Sequence, residues 1–211
     1  DSLGTVTING GTVTVTSGND GVQADKGFTM TGGALDITAA GGYKYNSQIE
    51  AADISAKGIK SDSSITISGG TVTIDSADDG IHLNGTAGDE TVLITGGDLT
   101  IKSGDDGIHS DYYLTIGDGT GEPSVTVEQS YEGLEGAVIQ LKSGRGSIYS
   151  TDDGVNAANS DLSSYKFLID ISGGSWYIDA GGDGLDSNGD INVTGGYTEV
   201  YGSSQGDNAA L

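Results

Sequence analysis

The sequence predicts an all-β fold, a right-handed single-stranded parallel β-helix (a solenoid) of about eight coils in one domain spanning residues 1–211. Three observations carry this expectation: a unit of strand, turn, strand and acidic corner that recurs along the chain, 38 glycines spread without a three-residue period, and no stretch with helical hydrophobic periodicity.

The unit is clearest from Ile65 to Gly80: Ile65-Thr66-Ile67-Ser68, Gly69-Gly70, Thr71-Val72-Thr73-Ile74-Asp75, then Ser76-Ala77-Asp78-Asp79-Gly80. Its closing acidic-Gly step returns as Asp20-Gly21, Asp106-Gly107, Glu132-Gly133, Asp153-Gly154 and Asp183-Gly184, with Lys57-Gly58 and a degenerate Gly206-Asp207 in the same rank. From Gly21 to Gly184 successive corner glycines are 37, 22, 27, 26, 21 and 30 residues apart, so a coil needs about 22 residues and the longer intervals carry insertions. The Gly-Gly pairs at 10–11, 32–33, 69–70, 96–97, 173–174 and 195–196 punctuate two alternating strands, and a third short strand follows each corner. This period is too long for a single hexapeptide or nonapeptide turn, and leucine-rich or ankyrin repeats need helices that are absent here. Right-handedness follows the general preference of parallel crossovers. The narrow interior is assigned to ladders of Val13, Leu35, Val72, Leu99, Val125 and their neighbours, with Trp176 at the same rank and hence in the core. Extra residues at Gly41–Ser47, Asn84–Glu90, Asp118–Pro123 and Ala157–Tyr165 read as loops, which in solenoids usually share a face.

Composition narrows function. Asp and Glu number 31 against 8 Lys and Arg, a formal charge of −23, which repels phosphate backbones and anionic lipids and argues against nucleic acid as a partner. Cysteine is absent, so there is neither a disulfide framework nor thiol chemistry. No apolar run is long enough for membrane insertion, and the opening at Asp1 in mid-pattern suggests a trimmed mature domain. A monomer is expected.

Aligned coils place Asp20, Lys57, Asp79, Asp106, Glu132, Asp153 and Asp183 in one column and Asn19, Asp78, Asp105, Tyr131, Asp152 and Gly182 in a second. Like charges about 5 Å apart repel by roughly 3 kcal/mol at an effective dielectric of 20, so such a column calls for cations. Calcium is the cofactor expected, because it accepts six to eight oxygens in flexible geometry. The candidate ligands are Asp78, Asp79, Asp105, Asp106, Asp152, Asp153, Asp183, Glu132 and Asp20, the doubly acidic corners foremost. Against this, Asp-Gly is a common turn former whose side chain serves local backbone. The same turn role is assigned to Asp25, Asp62, Asn84, Asp111 and Asn188, and Lys57 could replace an ion by pairing with Asp20 and Asp79. His82 and His109 share a rank and are expected to point outward; zinc would want more nitrogen or sulfur ligands.

The strand after each Gly-Gly turn sends two ranks outward, Thr14, Asp36, Thr73, Thr100, Thr126, Ser147, Tyr177, Glu199 and Thr16, Thr38, Asp75, Lys102, Glu128, Tyr149, Asp179, Tyr201. Tyr149, Tyr177, Tyr197 and Tyr201 gather on the last coils as a platform for sugar rings, with Lys102 among the polar partners; shielding of the solenoid end is the alternative.

The run Ile65-Thr66-Ile67-Ser68-Gly69-Gly70-Thr71-Val72-Thr73-Ile74 followed by Ser76-Ala77-Asp78-Asp79-Gly80-Ile81-His82, repeated less completely over 92–109, resembles the calcium-binding, pectate-lyase-like β-helix carbohydrate-binding domains on the surface of cellulose-degrading bacteria. The resemblance covers nearly the whole chain. It implies a secreted or cell-surface location, calcium between coils, and non-catalytic binding of cellulose and polygalacturonate-like acidic sugars. Its calcium ligands carry over only to the acidic-Gly corners; Lys57 and the last corner depart from the pattern. The alternatives are a calcium-dependent polysaccharide lyase, with Lys57, Lys60, Lys102, Lys142 or Arg145 as base, a surface adhesin or spacer, and an ice-binding Thr-x-Thr face, of which only Thr12-Val13-Thr14 and its neighbours remain.

Overall fold

A computed structural model describes residues 2–45, 54–203, 206 and 208–211. The first coil contains β1 (Thr5–Ile8), β2 (Thr12–Ser17) and β3 (Val22–Ala24); the second β4 (Gly27–Met30), β5 (Ala34–Ala39) and β6 (Ile59–Ser61). In the third, β7 (Ser64–Ser76) runs through the Gly-Gly turn and supplies two of the three sides, with β8 (Ile81–Leu83) as the other. The fourth uses β9 (Thr91–Ser103) and the start of β10 (Ile108–Ile116); the fifth the rest of β10, β11 (Ser124–Gln129) and the start of β12 (Leu134–Leu141). The rest of β12, β13 (Arg145–Ser150) and β14 (Val155–Ala157) form the sixth, and β15 (Leu168–Ile171), β16 (Ser175–Ala180) and β17 (Leu185–Ser187) the seventh. β18 (Asp190–Val193) and β19 (Tyr197–Tyr201) begin an eighth. Seven coils are therefore complete. Every pairing between coils is parallel, so the chain is an all-β solenoid, and the described residues include a 3-10 turn at Tyr43–Tyr45 but no α-helix.

Alternation packs the solenoid. In β7 the inward residues Ile65, Ile67, Val72 and Ile74 are at most 1% exposed. The same rank runs Val72, Leu99, Val125, Gly146, Trp176 through successive coils, and Trp176 lies in the core at 1% exposure. Val13, in the first of the described coils, is 38% exposed, whereas Leu35 in the next coil is 1% exposed.

The turn glycines and corner glycines do different work. The second Gly of each Gly-Gly pair has positive φ, as at Gly70 (94°), a conformation that penalises any Cβ. At the acidic corner the requirement is close approach: a Cβ on Gly107 would lie 2.5 Å from the carbonyl oxygen of Gly133. Corner amides bond from coil to coil, Gly80 N–H to Asp106 O, Gly107 N–H to Glu132 O, Gly133 N–H to Asp153 O and Gly154 N–H to Asp183 O. The preceding serine closes the bend, the hydroxyls of Ser76, Ser103 and Ser150 each donating to the carbonyl two residues on.

The insertions do not share one face. Residues 84–90 and 158–167 follow third strands, 117–123 replaces a Gly-Gly turn, and the segment after Ala39 leaves the acidic corner of the second coil. Asn46 and Ser47 of that last expected loop, and Asp207 of the last corner, lie outside the described residues.

Candidate functional site

Backbone register brings the acidic residues into the two columns expected. Corner bonds stack Asp20, Lys57, Asp79, Asp106, Glu132, Asp153 and Asp183. Beside them, Gly182 N–H bonds Asp152 O, Asp152 N–H bonds Tyr131 O and Tyr131 N–H bonds Asp105 O. Several corner carboxylates also accept the corner amide of the next coil: Asp20 Oδ1 from Lys57 N (2.8 Å), Asp79 Oδ1 from Asp106 N (3.1 Å) and Asp153 Oδ1 from Asp183 N (2.7 Å). Asp20 takes the Ser55 hydroxyl as well, and Asp183 accepts Ala209 N–H, so both carboxylates are engaged by groups distant in sequence.

Asp78, Asp79 and Asp105 bring carboxylate oxygens within 4.8 Å of one another. Lys57 already serves this group, its Nζ 2.6 Å from Asp78 and 3.2 Å from Asp79. Its ammonium therefore pairs with both residues of one corner rather than spanning Asp20 and Asp79. Burial disfavours the ammonium, but the charges of Asp79 and Asp78 outweigh that and raise its pKa. Burial pushes the Asp105 carboxyl up to about 6, with the charges of Asp79 and Asp78 adding to the rise.

A third column, two residues past each corner glycine, is the part that sequence reasoning missed. Gln23, Lys60, His82, His109, Glu135, Asn156 and Asp186 pair in register as the middle residues of the third strands. His82 and His109 do not stand free in solvent: their rings stack at 4.6 Å, and both are half-buried against the acidic corner. His82 Nδ1 is 2.5 Å from Asp79, and His109 faces Asp106 (3.1 Å), Asp111 (3.3 Å) and Glu135. Burial alone would lower the His109 pKa, yet hydrogen bonds to those three carboxylates raise it well above the ordinary histidine range. For Asp79, burial opposes ionisation, but His82 and Lys57 hold its carboxyl below the usual range. The residues given a turn role also bond between coils, Asn84 Nδ2 to Asp62 (3.2 Å) and Gly85 N–H to Asp111 (2.6 Å).

Past Glu135 the compensation stops. Among the described residues no basic side chain lies within ion-pair distance of Glu132, Asp152, Asp153 or Asp183. Burial lifts the Glu132 carboxyl to about 7, an effect that neighbouring Glu135, Asp153 and Asp152 reinforce; Asp153 is raised for the same reasons. Asn156, 7% exposed, donates Nδ2–H to Glu132 (2.9 Å), while its buried Oδ1 has no hydrogen-bond partner. A buried acceptor without a donor, among carboxylates without cations, fits an oxygen-seeking cation such as calcium.

The tyrosines form a separate surface on the second-strand face. Tyr149 and Tyr177 have ring centroids 5.7 Å apart and Tyr177 and Tyr201 5.6 Å, a zigzag across the last three coils. Tyr197 is on the same strand as Tyr201, and Glu199 between them accepts both hydroxyls at 3.0 and 2.6 Å. Tyr149, Tyr197 and Tyr201 are 42%, 62% and 49% exposed. Lys102 lies earlier on that face, paired with Glu128 at 3.0 Å and away from the stripe. The outward ranks are otherwise as expected, with one bulge between Val127 and Gln129. A second aromatic group, Tyr112, Tyr113, Tyr165 and Phe167, packs the 158–167 loop onto the body, with Tyr165 and Tyr113 hydroxyls 3.2 Å apart. Beneath the other such loop, Glu90 is drawn down to about 2 by four backbone N–H groups despite its burial.

Fold and surfaces together define a parallel β-solenoid with an aromatic strand face and an acidic edge. A family model described as carbohydrate-binding domain-containing protein matches residues 1–107, 86–167 and 106–210, and the chain belongs to that family. No curated protein and no solved structure matches it.

Proposed function

We propose that this chain binds plant cell-wall polysaccharide, acidic sugars of the polygalacturonate kind and cellulose, without cleaving it, and that it works outside the cell. The observation that carries the reading is the Tyr149–Tyr177–Tyr201 zigzag, exposed at Tyr149 and Tyr201 and half-buried at Tyr177, with three rings at near-equal spacing in a chain of a carbohydrate-binding family. A non-catalytic role is supported by the state of two candidate bases. Lys57 is held between Asp78 and Asp79 and Lys102 is paired with Glu128, and both pKa values are raised, so neither is poised to accept a proton.

Calcium in this reading is structural. Glu132, Asp152 and Asp153 are the carboxylates it would neutralise when bound, since no side chain in the described residues does so; they would have to draw together around it, because the ligand atoms that lie within 4.8 Å of one another belong to Asp78, Asp79 and Asp105 and to Asp106, His109 and Glu135. The corner of Asp78, Asp79, Asp105 and Asp106 draws instead on Lys57 and the two histidines.

Pull-down on insoluble cellulose and affinity electrophoresis in polygalacturonate test the binding, each with calcium and with chelator. Retention of the wild type and loss with Tyr177→Ala/Tyr201→Ala are expected; no retention of the wild type on any polysaccharide in either condition removes the proposal. Release of unsaturated uronate products, seen in ultraviolet absorbance, would replace it with a lyase.

A further inference from the structure

A trough of about 300 Å3 lies beside the tyrosine stripe, at the opposite end of the second strands from the acidic corner. It exists because two ranks change size abruptly. One runs Ser124, Arg145, Ser175, Tyr197, the other Thr126, Ser147, Tyr177. Small hydroxyl residues at 147 and 175 leave a depression, with Arg145 on one side and Tyr177 and Tyr197 on the other. Arg145 and Tyr197 are two coils apart, about 10 Å at the usual strand spacing. Gly146 opens the floor onto the Trp176 ring: a Cβ there would sit 2.6 Å from a ring carbon.

Arg145 is the cation of this trough. Its side chain is 64% exposed, and the acid that pairs with it, Asp98, makes a single long contact of 3.6 Å. The planar fork therefore keeps donors free to take a carboxylate in two parallel hydrogen bonds, a geometry that a sugar hydroxyl does not complete. Aromatic faces opposite supply a stacking surface for the ring that bears the carboxylate, and the serine and threonine hydroxyls supply exchangeable hydrogen bonds. We propose that this trough is a uronate subsite, in which Arg145 reads the sugar carboxylate directly and independently of calcium while Tyr177 and Tyr197 hold the pyranose ring.

The inference rests on the carbohydrate-binding reading above and adds to it the group that distinguishes acidic from neutral sugar. From Arg145 to Ser150, where the strand reaches the acidic corner, is about 16 Å, so metal removal leaves the trough's own chemistry in place.

The experiment is titration calorimetry of the whole chain with oligogalacturonate, its methyl-esterified form and a neutral β-glucan oligosaccharide, with calcium and with chelator. Arg145→Gln, Arg145→Lys and Gly146→Ala are compared with wild type. Loss of a charge-assisted pair predicts about tenfold to hundredfold weaker oligogalacturonate binding for Arg145→Gln. Partial recovery is expected with Arg145→Lys, and neutral oligosaccharide binding should stay within about twofold, because only the carboxylate contact is removed. Wild-type affinity for the free acid should exceed that for the methyl ester and survive chelation. Equal binding of oligogalacturonate by wild type and Arg145→Gln, or its abolition by chelator alone, overturns the uronate subsite and leaves general sugar binding intact. Wild-type binding of the neutral sugar alone does the same. Wild type that binds none of the three sugars overturns both readings.

Discussion

The two halves of the acidic edge share one backbone register and differ in what neutralises them. Between the second and fifth coils, Lys57, His82 and His109 are threaded among Asp78, Asp79, Asp106 and Glu135. Between the fifth and seventh, Glu132, Asp152, Asp153 and Asp183 have no such company among the described residues, and Asn156 keeps a buried oxygen without a donor. A solenoid edge is thus a row of separate electrostatic problems, solved coil by coil, because each coil meets only its neighbours.

The comparison breaks most readily at Lys57. Replacing it with Met leaves Asp78 and the almost fully buried Asp79 facing each other without their ammonium, and a loss of about 3 kcal/mol is expected in urea unfolding. Adding Asp78→Asn should recover part of it. An unchanged midpoint for Lys57→Met would mean that the half around Asp78 and Asp79, too, draws on an external ion.

Calcium removal comes next. With free calcium at a hundred times its dissociation constant, the ion contributes about 2.7 kcal/mol, so chelator should lower the melting temperature of the wild type. Glu132→Gln or Asp153→Asn should erase that response and Asp79→Asn should not; a response that follows Asp79 instead would reverse the assignment of the two halves.

Acidity sharpens the contrast further. In chelator the folded-state carboxyl of Glu132 titrates near 7 and that of Asp105 near 6, above their ordinary values of 4.5 and 3.8. Between those limits the folded chain binds more protons than the unfolded chain. Stability contributed by these groups therefore falls as pH rises from about 4 to about 7. Saturating calcium, which favours the ionised form, should flatten the portion due to Glu132, and melts across that range with and without metal would show it. The smallest effect is expected far from the edge: Tyr201→Ala should weaken sugar binding by about tenfold with no change in melting temperature.

Much of this was readable in the chain because a solenoid converts sequence rank into spatial neighbourhood. The Asp-Gly corners gave both acidic columns and the Gly-Gly turns gave the outward ranks that bear Tyr149, Tyr177 and Tyr201. The histidines were misjudged for a physical reason: a three-residue strand such as Ile81–Leu83 turns its middle residue outward, yet the neighbouring corner folds over it, so outward does not mean solvent. The signal was present, two residues past every corner glycine, in Gln23, Lys60, His82, His109, Glu135, Asn156 and Asp186. Pairing at the end of a flexible side chain was not readable. Rank alone placed Lys57 between Asp20 and Asp79, whereas its four-carbon stem reaches Asp78. The trough at Arg145 was hidden because it depends on which residues are small, Ser147 and Ser175, as much as on which carry function.

The corner hydrogen bonds also bear on how long the molecule survives chemically. Asp-Gly is the aspartyl dipeptide most prone to cyclise to a succinimide, since the unhindered glycine nitrogen attacks the aspartate side chain. In the corners at Asp20, Asp79, Asp106, Asp153 and Asp183 that nitrogen donates to a carbonyl of the next coil at 2.8 to 2.9 Å, and the backbone cannot rotate into the attacking geometry without unstacking two coils. The bonds that set the pitch of the solenoid thereby slow the ageing of its labile aspartyl-glycine corners.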